Sequence, residues 1–191
     1  QFEIHDPLFL PHCGCELQLS LVPGRALVLL GENGIGKSTL LNRLAQLLVQ
    51  DERAVVEQKA SEYFYDRKLS TLKSFFLTGR LKSFDPHSFE KLWQGFGLHL
   101  KEDRLLSQLS GGEAQCLKLC LSLCKDTDFY LLDEPSQFLD NNRKALLQQT
   151  LKDLLQKNKA LLIIEHNREW IPESWKVQVL KIDDLVLKLG E

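Results

Sequence analysis

The sequence contains no methionine, no long apolar run and no marked excess of charge of either sign. Without an initiator methionine, the position of the natural N-terminus is left open. No segment approaches the roughly 20 consecutive apolar residues that cross a bilayer, and the first residues lack the basic-then-apolar form of a signal peptide. We therefore expect a chain that does not itself span a membrane.

The charge balance gives no support to a nucleic-acid partner. The net charge is −2, and the isoelectric point is near 6.3. No overall field then attracts a polyanion or an anionic membrane surface, and we expect no nucleic-acid binding. The composition leaves room for a local basic patch.

Cysteine is scarce, and its five copies do not form a disulfide framework. Cys116, Cys120 and Cys124 recur every four residues, which places them on one face of a helix and predicts buried packing. Cys13 and Cys15 stand beside His12, but no second ligand pair lies at the spacing of a zinc site. Packing is the preferred interpretation there too.

The remaining pattern is that of a globular α/β chain. The 191 residues are 43% apolar, enough for a sizeable core. An antiparallel hairpin is predicted within residues 2–23. Apolar runs predict further strands at 26–30, 54–57, 63–65, 128–133, 160–164, 177–182 and 185–189. Helical spacing predicts helices after residue 39, twice within 66–108, at 110–125 and at 141–156.

A glycine-rich loop follows the strand at 26–30 and precedes an amphipathic helix. Phosphate oxygens need converging backbone N–H groups, and glycines keep that space open. This is a P-loop, in which Lys37 reaches the β- and γ-phosphates and Ser38 binds Mg²⁺, so we expect ATP or GTP as ligand. The expected nucleotide-binding residues are Asn33, Gly34, Ile35, Gly36, Lys37, Ser38 and Thr39.

Three further motifs lie beyond the P-loop. Ser110, Gly111 and Gly112 open a strongly periodic helix. Asp133 and Glu134 end an apolar strand, and His166 follows the next one, which is where an open α/β sheet places its ligand chemistry. Taken alone, the first is equally an ordinary helix cap, and a single histidine is commonly structural.

Taken together, the order and spacing of these motifs resemble the ATP-binding cassette family over essentially the whole chain. The matching segments are a Walker A motif at Gly31 to Thr39, a signature at Leu109 to Gln115, a Walker B motif at Phe129 to Glu134, a D-loop ending in Leu139 and Asp140, and a switch histidine at His166. The resemblance implies an α/β fold: a P-loop NTPase core of mostly parallel sheet flanked by helices. An antiparallel β edge begins the chain, and a compact helical insert carries the signature. It further implies one cassette, with 1–65 and 126–191 as the ATPase core and about 66–125 as the helical subdomain.

The same resemblance implies the roles of the site residues. Lys37, Glu134 and His166 would be catalytic, with Glu134 polarising the attacking water and His166 contacting the γ-phosphate. Ser38 and Asp133 would hold Mg²⁺. The adenine would stack on Phe9, with Phe2 as the weaker candidate.

The signature implies a second cassette. In this family two cassettes associate head to tail around two ATP molecules, and Ser110, Gly111 and Gly112 would face the ATP bound by the partner. We therefore expect a homodimer on ATP binding.

Two departures from the family pattern stand out. The glutamine that ends the strand before the helical insert is missing, since that strand ends with Phe64, Tyr65 and Asp66; Gln58 lies a few residues early. The insert is also compact. In its small size and in the missing glutamine, the chain is similar to the haem-exporter ATPase of cytochrome c maturation.

The resemblance favours an energy-coupling subunit of a transporter. Such a cassette is cytoplasmic and associates peripherally with the inner face of the cell membrane through a separate transmembrane permease, here expected to dock on residues 65–76 and 83–96. The alternative is a soluble ATPase of translation, DNA repair or iron–sulfur assembly. A nucleotide-binding regulator that does not hydrolyse is disfavoured by Asp133, Glu134 and His166.

Overall fold

The computed structural model describes residues 2–6, 17–31, 54–56, 67–77, 84–166, 168–173, 175 and 177–181. Within these residues five strands form a parallel sheet. Its five strands are β3 (Ala26–Leu30), β4 (Ala54–Val56), β5 (Phe129–Asp133), β6 (Ala160–Glu165) and β7 (Val177–Lys181). They lie in the order β4-β5-β6-β3-β7.

The central strands are continuously apolar, apart from the carboxylates that end β5 and β6, because both of their faces are covered. Every residue of β6 is buried, as are the first four residues of β3 and of β5. Parallel sheets in α/β proteins are covered by helices on both faces, so their strands need not alternate apolar and polar residues. The continuous apolar runs in the sequence therefore predicted these strands correctly.

The antiparallel edge is present as predicted. Strands β1 (Phe2–Asp6) and β2 (Leu17–Leu21) pair with Phe2 opposite Leu21 and Asp6 opposite Leu17. The predicted strands at 63–65 and 185–189, the helix after the P-loop, and His12, Cys13 and Cys15 lie outside the described residues.

Between β4 and β5, the described residues form three helices and two short 3-10 turns. They are α1 (Leu69–Leu77), α2 (Pro86–Gly95), the turns Leu98–Lys101 and Leu106–Gln108, and α3 (Gly111–Leu123). Asp85 caps α2 by accepting a hydrogen bond from the backbone N–H of His87, and Pro86 supplies the first helical position. The helix α4 (Asn141–Gln156) comes after β5.

Aromatic side chains form much of the core between α1, α2 and α3. Phe89, Trp93 and Phe96 are completely or almost completely buried. The ring of Phe89 lies 5.2 Å from that of Trp93 and 5.9 Å from that of Phe76. Cys116, Cys120 and Cys124 are buried free thiols, as the four-residue spacing predicted, and burial raises the pKa of Cys116 to about 11.

A cluster of charged side chains, Lys73, Glu90 and Glu102, contacts this aromatic core at Trp93. Lys73 lies 2.9 Å from a carboxylate oxygen of Glu102 and 3.1 Å from one of Glu90, and the indole N–H of Trp93 also donates to Glu102. The hydrogen bond from Lys73 lowers the pKa of Glu102, against the opposing effect of burial. The cluster keeps the buried indole N–H of Trp93 paired, which avoids the cost of an unsatisfied donor.

The chain divides into two compact units. The first comprises Gln1–Val56, Asp128–Pro135 and Gln148–Glu191, and it contains the parallel sheet. The second comprises Glu57–Thr127 and Ser136–Leu147, and it contains α1, α2 and α3. The domain boundaries derived from the sequence stay a prediction.

Candidate functional site

The carboxyl edge of the parallel sheet brings together the ends of β3, β5 and β6. The backbone N–H of Gly31, directly after β3, donates to the carbonyl oxygen of Glu165 at 3.3 Å. The N–H of Glu134, directly after β5, donates to the carbonyl oxygen of Ile164 at 2.8 Å. Backbone hydrogen bonds therefore hold both the first P-loop residue and the Walker B glutamate against the end of β6.

Glu134 and His166 are in contact at this edge. A carboxylate oxygen of Glu134 lies 3.0 Å from Nε2 of His166, and the two side chains are 19% and 35% exposed. Glu134 has a φ of 46°, in the left-handed region that a side chain of L configuration rarely adopts. Because such a conformation persists only when its surroundings hold it, the hydrogen bond to Ile164 helps to hold the Glu134 backbone where β5 ends.

Asp133 is the last residue of β5 and is half-buried. In the sheet it lies opposite Ile164 of β6. A carboxylate at a strand end is a hard oxygen donor of the kind that Mg²⁺ prefers. Asp133 therefore suits the metal-binding role predicted for it, and its assigned partner Ser38 lies outside the described residues.

The sequence did not reveal the role of Glu165. Its side chain is only 4% exposed, and the indole N–H of Trp170 donates to it at 3.0 Å. Its backbone carbonyl accepts the bond from Gly31. The only signal in the sequence was a glutamate ending an otherwise apolar strand, which marks a buried polar group that needs a partner.

The signature motif lies at the N-terminus of α3, in the second unit. The Ser110 hydroxyl accepts from the backbone N–H of Glu113 at 3.3 Å, and the Ser110 N–H donates to the Glu113 carboxylate at 2.8 Å. This is a capping box, and it satisfies two of the otherwise unpaired donors of the helix. Ser110 and Gly111 are exposed, and Gly112 is half-buried.

Two basic side chains support the Glu113 carboxylate. Lys101 approaches it to 3.5 Å and Arg104 to 3.8 Å. The backbone hydrogen bond from Ser110 lowers the pKa of Glu113, against the opposing effect of burial, and the two cations lower it further. The cap is thus held by an ionised carboxylate at neutral pH.

The predicted D-loop packs against the signature within the same unit. A Cβ atom on Gly112 would lie 2.8 Å from the carbonyl oxygen of Phe138, so only glycine fits there. Phe138 is 67% exposed and has a φ of 61°. Asp140 accepts from the backbone N–H of Arg143 at 2.9 Å, and the Arg143 guanidinium lies 3.7 Å from the same carboxylate.

Phe138 and Arg143 were missed by the sequence reasoning. An aspartate directly before a helix is a recognisable N-cap signal, so the hydrogen bond between Asp140 and the Arg143 backbone could have been predicted from the sequence. The left-handed backbone at Phe138 had no such signal.

The other predicted site residues lie outside the described part of the chain. The described residues do not include Phe9, Gln58, Asn33, Gly34, Ile35, Gly36, Lys37, Ser38 or Thr39. Of the predicted site, the structure places Asp133, Glu134 and His166 in the first unit and Ser110, Gly111 and Gly112 in the second.

Comparison with known sequences identifies the family. The family described as "ABC transporter" matches residues 15–137, which is more than half of the chain. The chain belongs to the ABC transporter family. The resemblance on which the sequence analysis relied is therefore confirmed, and homologues of this family are ATP-hydrolysing enzymes.

Individual relatives include import ATP-binding proteins and a member of the ABC transporter E family. The chain is 35% identical to a taurine import ATP-binding protein of Pseudomonas aeruginosa, covering 80% of this chain and 65% of that protein. It is 31% identical to ABC transporter E family member 3 of Arabidopsis thaliana, covering 74% and 84%. It is 28% identical to a ribose import ATP-binding protein of Caldanaerobacter subterraneus, covering 92% of this chain but only 41% of that protein.

Solved structures confirm the predicted fold class. The ATP-binding subunit of an ABC transporter matches with a TM-score of 0.70 over 93% of this chain and 92% of that one, at 15% identity. At that identity the match speaks for the fold alone.

Proposed function

We propose that this chain is the ATP-binding and ATP-hydrolysing subunit of an ABC transporter, which drives separate membrane subunits. The observation that carries the proposal is the contact between Glu134 and His166 at the edge of the sheet where the P-loop begins. A carboxylate fixed in place beside an imidazole, directly after a metal-binding aspartate, fits the activation of a water molecule.

The proposed reaction is the hydrolysis of ATP to ADP and phosphate. Water attacks the γ-phosphorus, its proton passes to the Glu134 carboxylate, and the bond from the γ-phosphorus to the oxygen of ADP breaks. His166 holds the Glu134 carboxylate in orientation and adds a contact to the γ-phosphate. The P-loop amides and Lys37 hold the phosphates in place.

Asp133 and Ser38 are proposed to bind Mg²⁺. The metal neutralises negative charge on the phosphate oxygens when it is bound. The donor set fits this role because one carboxylate and one hydroxyl leave coordination positions for water and phosphate, which Mg²⁺ commonly retains.

We further propose that two copies associate head to tail around two ATP molecules. Support comes from the exposed N-terminus of α3, where Ser110 and Gly111 lie on the surface. Backbone N–H groups and the positive end of the helix dipole attract a phosphate there. The γ-phosphate would come from ATP bound to the P-loop of the partner copy.

The role in transport is supported by the import proteins among the relatives. Among the described residues, no helix is long and apolar enough to cross a bilayer. We assign the membrane-spanning part to a separate permease because the import relatives are ATP-binding proteins. The cassette would then associate peripherally with the cytoplasmic face of the membrane.

In the predicted docking segments Phe89 and Trp93 are buried, whereas Phe75 is 45% exposed, so we assign the permease contact to Phe75.

The replacement Glu134→Gln tests the catalytic assignment. The amide keeps the size of the side chain but cannot take a proton from water, so we expect ATP binding to persist and turnover to fall at least about 100-fold. Turnover is followed by phosphate release, and binding by a fluorescent ATP analogue. The matched control is Glu173→Gln, since Glu173 is exposed and belongs to none of the motifs; it should keep wild-type activity. Wild-type turnover in Glu134→Gln would disprove the assignment.

A soluble ABC ATPase is the second candidate. It is favoured by the similarity to ABC transporter E family member 3 and to the translation initiation factor rli1 of Schizosaccharomyces pombe. A pull-down of the tagged chain from detergent-solubilised membranes of its host, with and without ATP, separates the two candidates. A polytopic membrane protein among the captured partners supports the transporter. Capture of ribosomal or other soluble partners alone, by a chain that still binds ATP, supports the soluble ATPase.

A further inference from the structure

A second candidate binding site lies at the opposite edge of the parallel sheet from Glu134 and His166. It is a pocket of about 480 Å³ in the first unit, where β3, β6 and β7 begin and α4 ends. Arg25 stands directly before β3, which is about 17 Å long at 3.3 Å per residue. The pocket is therefore remote from the carboxyl edge, and none of the catalytic roles proposed above involves it. Its volume is typical of small-molecule sites.

Gly24 lines this pocket, and its lack of a side chain leaves space there. Gly24 has a φ of 73°, and its N–H donates to the carbonyl oxygen of Lys159 at 3.0 Å. A Cβ atom at this position would lie 3.3 Å from the side-chain oxygen of Asn158 and 3.5 Å from the carbonyl oxygen of Leu155. A larger residue would therefore be strained and would also occupy the pocket.

The lining carries two positive charges and no negative one. Arg25 and Lys152 both line the pocket, both are exposed, and the described residues that line it include no carboxylate. Neither side chain forms an ion pair with any described residue. The C-terminus of α4 contributes about half a negative charge through its dipole. Two full positive charges outweigh that contribution, so the pocket favours an anion.

The indole of Trp175 adds an apolar wall and a donor. Trp175 is 8% exposed, and its ring packs edge-on against Trp170 with centroids 6.4 Å apart. Its indole N–H donates to no described residue, although a buried donor is normally paired. Together with Leu155, the ring offers apolar contact beside the two cations. An anion with an apolar body would use both features.

We propose that this pocket binds a small organic anion, a carboxylate or a phosphate ester attached to an apolar or aromatic group. The cations attract the charged group, and Trp175 and Leu155 contact the apolar body. The proposal does not depend on the ATP-driven function, because it rests on residues at the other edge of the sheet.

The test is a titration of the ¹⁵N-labelled full chain with benzoate, phenyl phosphate and neutral benzamide, followed by two-dimensional NMR. We expect saturable shifts at the Gly24 and Asn158 amides and at the Trp175 indole with at least one of the two anions and none with benzamide. The tighter anion identifies the preferred charged group. Absence of saturable shifts with both anions, or equal shifts with benzamide, would overturn the proposal.

Variants test which side chains act. The double replacement Arg25→Gln and Lys152→Gln should weaken binding about tenfold, as expected for two partly exposed charge contacts. The control double replacement Lys91→Gln and Arg168→Gln makes the same charge change at exposed residues that do not line the pocket, and it should leave the affinity unchanged. Trp175→Phe retains a ring but removes the donor and should weaken binding several-fold. Equal weakening by the control would show that only net charge matters and would disprove the site.

Discussion

The carbonyl oxygen of Phe138 limits the size of the residue at one of the two signature glycines, Gly112. A Cβ on Gly112 would meet this backbone atom at 2.8 Å, whereas a Cβ on Gly111 would meet the Phe138 ring at 3.6 Å, an ordinary contact. Alanine in a helix gains about 1 kcal/mol over glycine, but overpacking costs about 1–3 kcal/mol. The two neighbouring glycines should therefore respond differently to the same substitution.

We expect Gly111→Ala to be neutral or slightly stabilising and Gly112→Ala to lower the free energy of unfolding by up to about 2 kcal/mol. Urea unfolding followed by circular dichroism measures both. Gly111→Ala is the internal control because it makes the same chemical change one residue earlier. Equal stabilities of the two variants would contradict the close contact with Phe138.

At the level of single residues, the sequence predicted which side chains gather at the sheet edge but not how they are held. Glu134 and His166 each follow an apolar strand, and the carboxyl ends of parallel strands share one edge. Their 3.0 Å contact is consistent with that expectation. The left-handed backbone at Glu134 and Phe138 is imposed by tertiary contacts, for which neither residue type is a signal.

At the level of elements, the cap of α3 depends on an ionised carboxylate. The pKa of Glu113 is lowered in the folded chain, so its contribution to stability is complete above its unfolded value and is lost as the pH falls through the folded one. We expect Glu113→Gln to be about 0.5–1 kcal/mol less stable than wild type at pH 7, since the interactions with the helix dipole, Lys101 and Arg104 are lost.

The difference in free energy of unfolding between wild type and Glu113→Gln should shrink below about pH 4, where Glu113 becomes protonated in the unfolded chain. Urea unfolding of both proteins at pH 7, and at the lowest pH at which each is still native, measures this. Glu173→Gln again serves as the control and should match wild type at both pH values. A difference that does not change with pH would mean that the amide disturbs packing and that the charge of Glu113 has no role.

Element boundaries followed the sequence where local signals were strong. The bounds of β3 and α4 agree with the prediction because buried apolar runs and 3.6-residue periodicity are local. Helix α3 ends at Leu123 and not at Lys125, since the Cys124 carbonyl accepts a hydrogen bond from Asp85 and Lys125 bridges to Phe84. Such a long-range pairing has no signature in the segment that it terminates.

At the level of the whole molecule, the proposed dimer should depend on the signature. The chain has a mass of 21.9 kDa. We expect the Glu134→Gln variant to form a dimer of twice that mass in the presence of ATP and Mg²⁺. Adding Ser110→Arg should abolish this dimer by placing a bulky cation at the N-terminus of α3, while ATP binding persists. Size-exclusion chromatography with light scattering measures the mass.

Ser107→Arg is the matched control, because Ser107 is exposed in the turn that precedes the signature. Its combination with Glu134→Gln should still dimerise. If the Ser110→Arg combination dimerises equally well, the head-to-tail arrangement is wrong, whereas the assignment of Glu134 is tested separately by turnover.

The order of the strands was beyond the reach of sequence pattern. Periodicity identifies a buried strand, but the neighbour of each strand is decided by how the sheet assembles as a whole. Residue types alone did not indicate that β3 would lie between β6 and β7.

That central position has a consequence for how the protein is made. Ala26 of β3 pairs with Leu161 and Val177, which lie 135 and 151 residues further along the chain. A ribosome that has released β3 must therefore synthesise most of the remaining chain before this strand gains either neighbour. Because distant pairings form slowly, the apolar strand that leads into the P-loop stays exposed during translation. The solubility of the nascent chain in that interval depends on whether other segments or chaperones bind the exposed strand.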